Sequence, residues 1–274
     1  MKFTKYFLER FFHKISKLFF TFFGLYLFRS KDFNGIYPLP KFFQLWSYLN
    51  TDQQSKILPF LNLTCSQNSQ DLLAIAMTQK NKTGYFVEFG ACDGILYSNT
   101  LLLEKYLGWH GIVAEPGRIW HKDLKKNRSC IVETRCIFES SNQRVKFDEV
   151  QKVSQQIAPQ ISGISDVGSG DWTAKFRKLN SISYEVETIS LVDLLNEHSA
   201  PSIIDFISID TEGSEFEILK NFDFEKYRFN LLVVEHNYGK NREKIYELLT
   251  RNGYERFLSE ISGVDDFYVR RANP

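Results

Sequence analysis

Downstream of Gly84 the apolar positions fall into short, nearly continuous runs separated by stretches with helical spacing. That alternation is the mark of crossover units building a mostly parallel sheet, with helices covering both faces of the central strands. It places strands at Tyr85 to Phe89, Gly111 to Ala114, Cys130 to Ile137, Ile203 to Ile209 and Leu231 to Glu235. Helices are expected over Asn99 to Leu107, Ile119 to Lys126, Ser214 to Leu219 and Arg242 to Asn252, the last stopped by Gly253 just past its end. Tyr254 to Glu260 and Asp266 to Arg270 flank Ile261-Ser262-Gly263-Val264 and predict a terminal antiparallel hairpin. Residues 139 to 190 are less regular. Ile161 to Asp171 has the composition of a loop, and Ile182 to Glu187 alternates as an edge strand does. A long insertion near the carboxyl ends of strands is either a substrate lid or a surface decoration.

The upstream part reads differently. Nine of the 25 phenylalanines lie in the first 30 residues, and Leu18 to Phe28 is an uncharged apolar run between Lys17 and Arg29. As a helix this run covers about 16 Å, roughly half the hydrocarbon thickness of a bilayer, so it does not span one. Arg29-Ser30-Lys31-Asp32 follows instead of a small-residue cleavage site, which discounts a secretory signal. A helix rich in Lys and Phe suits the membrane interface, with its cations near anionic headgroups; packing on the main domain or on a partner is the alternative. Residues 32 to 60, with Pro38, Pro40 and Pro59, read as an irregular connector carrying a short helical piece around Phe42 to Leu49. The expected organisation is an extension and connector over residues 1–60 and one α/β domain over residues 61–274.

Composition narrows the classes. With 43% hydrophobic and 24% charged residues in 274, the chain has ample apolar side chain to bury and is not natively unfolded. Its 34 Lys+Arg balance 33 Asp+Glu, so nothing chain-wide calls for nucleic acid as a partner. The balance hides an asymmetry: residues 1 to 31 stand at +6 and the rest of the +1 chain at −5. Cys65, Cys92, Cys130 and Cys136 are scattered, lack zinc spacing, and read as reduced thiols of a cytosolic protein; no metal ligand set is assigned.

Four segments carry candidate chemistry. In Tyr85 to Gly94 a strand runs into a turn with Gly90 and Gly94, where the backbone can approach a ligand closely; the helix opening near Ser98-Asn99 could offer N–H groups to an anion. Mere turn chemistry is the alternative. Gly111 to Pro116 sets Glu115 at the next strand end, 25 residues after Gly90, where its oxygens could accept a ribose diol or cap a helix. Ile207 to Glu215 delivers Asp210 to a strand end, with Glu212 in the turn and Glu215 opening a helix. Such clustered carboxylates ask for a sulfonium, a hydroxyl proton or a metal ion. The helix dipole accounts for Glu215 and leaves Asp210 and Glu212 as candidates. Val233 to Asn237 brings His236 to the same edge, as a base for a hydroxyl or as a hydrogen bond to a nearby loop.

With VEFGACDG, GIVAEP, IDFISIDTEGSEFEIL and VVEHN in this order, and Ser66 to Asp71 upstream, residues 66 to 270 resemble the FkbM family of S-adenosylmethionine-dependent methyltransferases. The resemblance implies a class I methyltransferase (Rossmann-like) seven-stranded, mostly parallel α/β sheet with a C-terminal antiparallel hairpin. It implies S-adenosyl-L-methionine as cofactor and methyl transfer to oxygen on a sugar or another secondary metabolite. Glu88, Gly90, Ala91, Asp93 and Gly94 would then form the cofactor loop, with Glu115 on the ribose. The third strand's end near Cys136 to Phe138 would approach adenine, although no Asp stands there. The general base is left to position along the strands, which nominates Asp210, Glu212 and His236.

The resulting expectation is a cytosolic O-methyltransferase for a small-molecule or glycan acceptor, with peripheral contact at the inner membrane face under the interfacial reading of residues 1 to 31. A non-catalytic protein of the same fold, recruited through those residues, is the rival. A nicotinamide oxidoreductase is disfavoured by the missing third glycine of G-x-G-x-x-G.

Overall fold

The computed structural model describes residues 39–78, 83–151, 159–167 and 172–271. The basic, aromatic segment 1 to 31 and its membrane reading lie outside the described residues. Among the described residues no helix is long and apolar enough to cross a membrane, and all four cysteines are free thiols.

The stretch expected to be an irregular connector is mostly helical. Helices span Leu39–Tyr48 and Thr51–Ile57, the second opened by a capping box in which Asn50 and Gln53 exchange side-chain and backbone hydrogen bonds. Prolines sit where helices tolerate them: Pro40 is in a first turn, and Pro59 lies in the short 3-10 turn Leu58–Phe60. A further helix, Gln70–Met77, is buried along nearly its whole length and carries Leu72, Leu73 and Ile75 into the core.

The main sheet holds seven strands: β1 (Tyr85–Phe89), β2 (His110–Ala114), β3 (Ile131–Glu133), β8 (Ile203–Ile209), β9 (Arg228–Glu235), β10 (Tyr254–Phe257) and β11 (Asp265–Arg270). Their order is β10-β11-β9-β8-β1-β2-β3. The pairs from β3 to β9 are parallel, and β11 runs antiparallel to both of its neighbours. This is the expected parallel sheet closed by an antiparallel hairpin. Successive side chains of a strand face opposite ways, so each strand feeds two cores. Val87, Ile207 and Val234 join one cluster, while Phe86, Phe206 and Val233 join the other.

One expectation is corrected. The single strand placed at Cys130 to Ile137 is two, because the chain leaves the main sheet after Glu133. Glu133 Oε1 accepts the backbone N–H groups of Thr134 and Arg135 there and pins the corner. The chain then enters a second, four-stranded sheet of order β4-β7-β5-β6, made of β4 (Cys136–Phe138), β5 (Arg144–Val150), β6 (Gly163–Ile164) and β7 (Ser181–Ser190). Ile182 to Glu187 lies in β7 and pairs there with β5, while β4 joins β7 only at Thr188 to Ser190.

Candidate active site

Parallel register brings three strand ends to one level. Phe89 pairs with Ile209, and Ile209 with Val234. The next residues, Gly90, Asp210 and Glu235, thus emerge side by side at the carboxyl ends of β1, β8 and β9, where open α/β sheets take their ligands. The approach is close. Gly90 has φ +77, and a Cβ on it would stand 2.1 Å from the Asp210 carbonyl oxygen, so only glycine lets the first turn pass β8.

The carboxyl groups of Asp210 and Glu235 face one another, an oxygen of each within 4.8 Å of the other. Burial pushes Asp210 up to about 7; its approach to Glu235 works against this, and the charges of Asp265, Glu215 and Glu88 add to it. Burial, then the charge of Asp210, holds Glu235 well above the usual carboxylate range. Two like charges this close and this buried disfavour ionising together. One oxygen each from Asp210, Glu212 and Glu235 lie within 4.8 Å of one another, an all-oxygen set suited to a hard cation or a cationic ligand. Glu212 occupies the left-handed region at φ 58, and Glu215 pins its turn by accepting from the backbone of Thr211 and Gly213.

Across the first turn stands Glu115, buried, its Oε2 accepting from Cys92 N at 2.9 Å and its Oε1 from Gly117 N at 2.7 Å. Burial pushes it up to about 7 against those two backbone bonds. Each oxygen keeps a further lone pair, which is what a vicinal diol needs.

A model of the methyltransferase FkbM domain matches residues 88–256, from β1 through β10. The chain belongs to the FkbM methyltransferase family. S-adenosylmethionine is the cofactor that goes with it, and the residues at this edge fit that molecule: a carboxylate with open lone pairs for its ribose and an acidic pair for its positive sulfur. Similar solved structures include an FkbM methyltransferase from Methylobacillus flagellatus KT, with 15% identity, 84% of this chain and 58% of that one covered, and a TM-score of 0.43. The N-terminal domain of human METTL16 in complex with SAH is 14% identical over 88% and 95% of the two chains, with a TM-score of 0.38. Precorrin-6y C5,15-methyltransferase from Geobacter metallireducens GS-15 is 9% identical over 76% and 82%, with a TM-score of 0.35. The chain thus spans less than two thirds of the Methylobacillus protein's length. A comparison with curated proteins finds no match.

Within this FkbM chain the residues nominated from sequence divide sharply. Gly90, Ala91 and Glu115 line the turn, with Gly90 N and Ala91 N both donating to the Ala114 carbonyl. Asp93 and Gly94 shape the turn itself: Asp93 Oδ1 accepts from Ile95 N and Leu96 N, and Gly94 N donates to the Ala91 carbonyl. Glu88 is consumed inside the protein. Its oxygens accept from Asn99 N, Ser98 Oγ, Thr100 Oγ1 and Arg128 Nη1. The N–H groups near Ser98-Asn99 are likewise used up, by Glu88 and by Ser98 Oγ, and are not open to an anion. Asn99 also reaches across to Ser208 Oγ at 2.8 Å.

His236 is corrected outright as a base. Its Nδ1 accepts from Tyr238 N at 2.9 Å, which leaves Nε2 protonated and donating to the Asp265 carbonyl at 3.1 Å. No lone pair is open, and burial holds its pKa below the usual imidazole value. Cys136 to Phe138, expected at the adenine, ends no strand of the main sheet; β3 ends at Glu133. Sequence reading passed over Glu235, although it closes an apolar run as Asp210 does. It also passed over Arg177, on the helix Trp172–Asn180, whose Nη2 meets the Glu212 carbonyl at 3.3 Å.

Proposed function

We propose that this chain transfers a methyl group to a hydroxyl oxygen of a sugar, a glycan or a related small metabolite. The reading rests on the facing carboxyls of Asp210 and Glu235, set at two strand ends beside a turn that requires glycine. When bound, S-adenosylmethionine would supply an electrophilic methyl carbon, activated by its positively charged sulfur, which would keep the electron pair of the carbon–sulfur bond as the leaving group.

Glu115 takes the ribose diol with the lone pairs that Cys92 and Gly117 leave open. Gly90 and Ala91, anchored on the Ala114 carbonyl, hold the turn in place. Asp210, backed by Glu235, receives the hydroxyl proton, and a carboxyl raised to about 7 is a better base than an ordinary one. A protonated hydroxyl is a poor nucleophile, so it gains most from a base held beside it. Alignment and proton removal are then the whole of the protein's task.

Mass spectrometry of surface glycans from cells with and without the protein tests this. The expected result is a mass gain of one CH2 on a sugar residue, resistant to mild alkali as an ether is. Identical glycan profiles, with the purified protein binding S-adenosylhomocysteine, would move the acceptor elsewhere.

A further inference from the structure

We propose that Arg177 reads the acceptor by binding an oxyanion, carboxylate or phosphate, carried on the same molecule as the hydroxyl. The inference rests on the methyltransferase reading above and names the acceptor's chemical class.

Arg177 comes from the insertion, not from the main sheet. Its helix, Trp172–Asn180, is otherwise exposed or half-buried at the described side chains, with Lys175, Lys178 and Leu179 facing solvent. Arg177 alone turns inward and is 3% exposed. The guanidinium rests on the Glu212 turn: Nη2 donates to the Glu212 carbonyl at 3.3 Å and lies 3.9 Å from Glu212 Oε2. Nη1 is fully buried and, among the described residues, has no hydrogen-bond partner. Room for it is made by Gly163 of β6, where a Cβ would stand 1.9 Å from Nη1 and 3.4 Å from Glu212 Cβ. Two separate parts of the insertion, β6 and the helix, thus combine to place one cation at the turn that follows Asp210.

Another buried arginine gives the measure of how incomplete this is. Arg128 is 5% exposed, and its guanidinium meets Glu88, Glu104, Ser98 and Thr100. Burying a guanidinium with a donor left over is costly, because the lost water is not replaced. The missing partner must be a hydrogen-bond acceptor, and a planar cation favours a carboxylate or phosphate oxygen over a neutral hydroxyl. A ligand whose hydroxyl meets Asp210 and Glu235 can present a second, charged oxygen to Nη1 beside Glu212. Access to Nη1 requires the helix to part from the turn, which the guanidinium meets through the 3.3 Å hydrogen bond and the 3.9 Å ion pair with Glu212.

The test measures binding of D-glucuronate, D-glucose 6-phosphate and D-glucose to the full chain saturated with S-adenosylhomocysteine, by saturation-transfer NMR titration. At least one anionic sugar should bind about tenfold or more tightly than glucose, and which one does so identifies the oxyanion. Arg177→Gln should erase that preference with S-adenosylhomocysteine affinity unchanged, and Arg177→Lys should keep part of it. Gly163→Ala, which alters no charge, should act as Arg177→Gln does by crowding the guanidinium. Equal or absent binding of all three sugars, or a preference that survives Arg177→Gln, overturns the proposal while intact cofactor binding leaves the methyltransferase reading standing. Failure of the wild-type chain to bind S-adenosylhomocysteine would overturn both.

Discussion

Two groups of carboxylates share one face of the parallel sheet, and their surroundings are opposite. Glu88 sits among four donors, one of them the Arg128 guanidinium, which Glu104 also holds. Asp210, Glu212 and Glu235 sit within reach of one another, and their electrostatic neighbours include Glu215 and Asp265. Glu88 lies within β1, while Asp210 and Glu235 stand at the ends of β8 and β9. What separates them is how closely a cation of the chain stands opposite: Arg128 is within 3.2 Å of both Glu88 and Glu104, whereas Arg177 keeps 3.9 Å from Glu212, and that marks the first as a piece of architecture and the second as a place for something to bind.

The contrast can be broken most forcefully at Arg128. Arg128→Met leaves Glu88 and Glu104 without their cation and should lower the unfolding free energy by about 3 to 5 kcal/mol, measured by urea denaturation; a loss far below this would deny the cluster its architectural role. Asp210→Asn should cut methyl transfer about a hundredfold or more, with stability unchanged or improved because repulsion is relieved. If activity and stability fell together, the two groups would be alike after all. Glu115→Ala should weaken S-adenosylhomocysteine about tenfold or more by calorimetry, and undiminished affinity would remove the ribose assignment.

The smallest effect is a pH dependence. Glu115 and Asp210 are both raised to about 7, so the folded protein binds more protons than the unfolded chain between about pH 4 and pH 7. Their contribution to stability is complete below the unfolded values and is lost as pH rises through 7. A positive sulfur prefers the ionised pair, so the affinity for S-adenosylmethionine relative to S-adenosylhomocysteine should rise a few-fold from about pH 6 to about pH 8. Asp210→Asn should flatten that ratio.

Where the sequence could be read, the signal was local. The runs before Gly90 and Asp210 marked β1 and β8 to the residue, because near-continuous apolar stretches suit strands covered on both faces and glycine or an acidic turn closes them. Cys130 to Ile137 misled because a one-dimensional pattern does not say which sheet a strand joins, and the corner at Glu133 depends on that residue's own side chain. The alternation of Ile182 to Glu187 marked a strand paired on one side with β5, but not that β4 joins the same strand over the next three residues. In the site, Glu115 and Asp210 were visible as acids at strand ends. The commitment of His236 was not, since its partners are backbone groups, one of them on β11, 29 residues away. Arg177 had no local signal either: inside a charged helix, only the distant Gly163 betrays which cation turns inward.

The strand nearest the carboxyl terminus is the one inserted between β9 and β10. Asp265, at its start, pairs with Glu235, receives Asn68 and Gln70 from far upstream, and lends its carbonyl to His236. During synthesis the ribosome therefore releases this piece after every element it joins, and the acidic edge lacks its neighbour until β11 has emerged. A nascent chain stalled before residue 265 would carry the glycine turn and β9 but not the strand on which Glu235 and His236 lean.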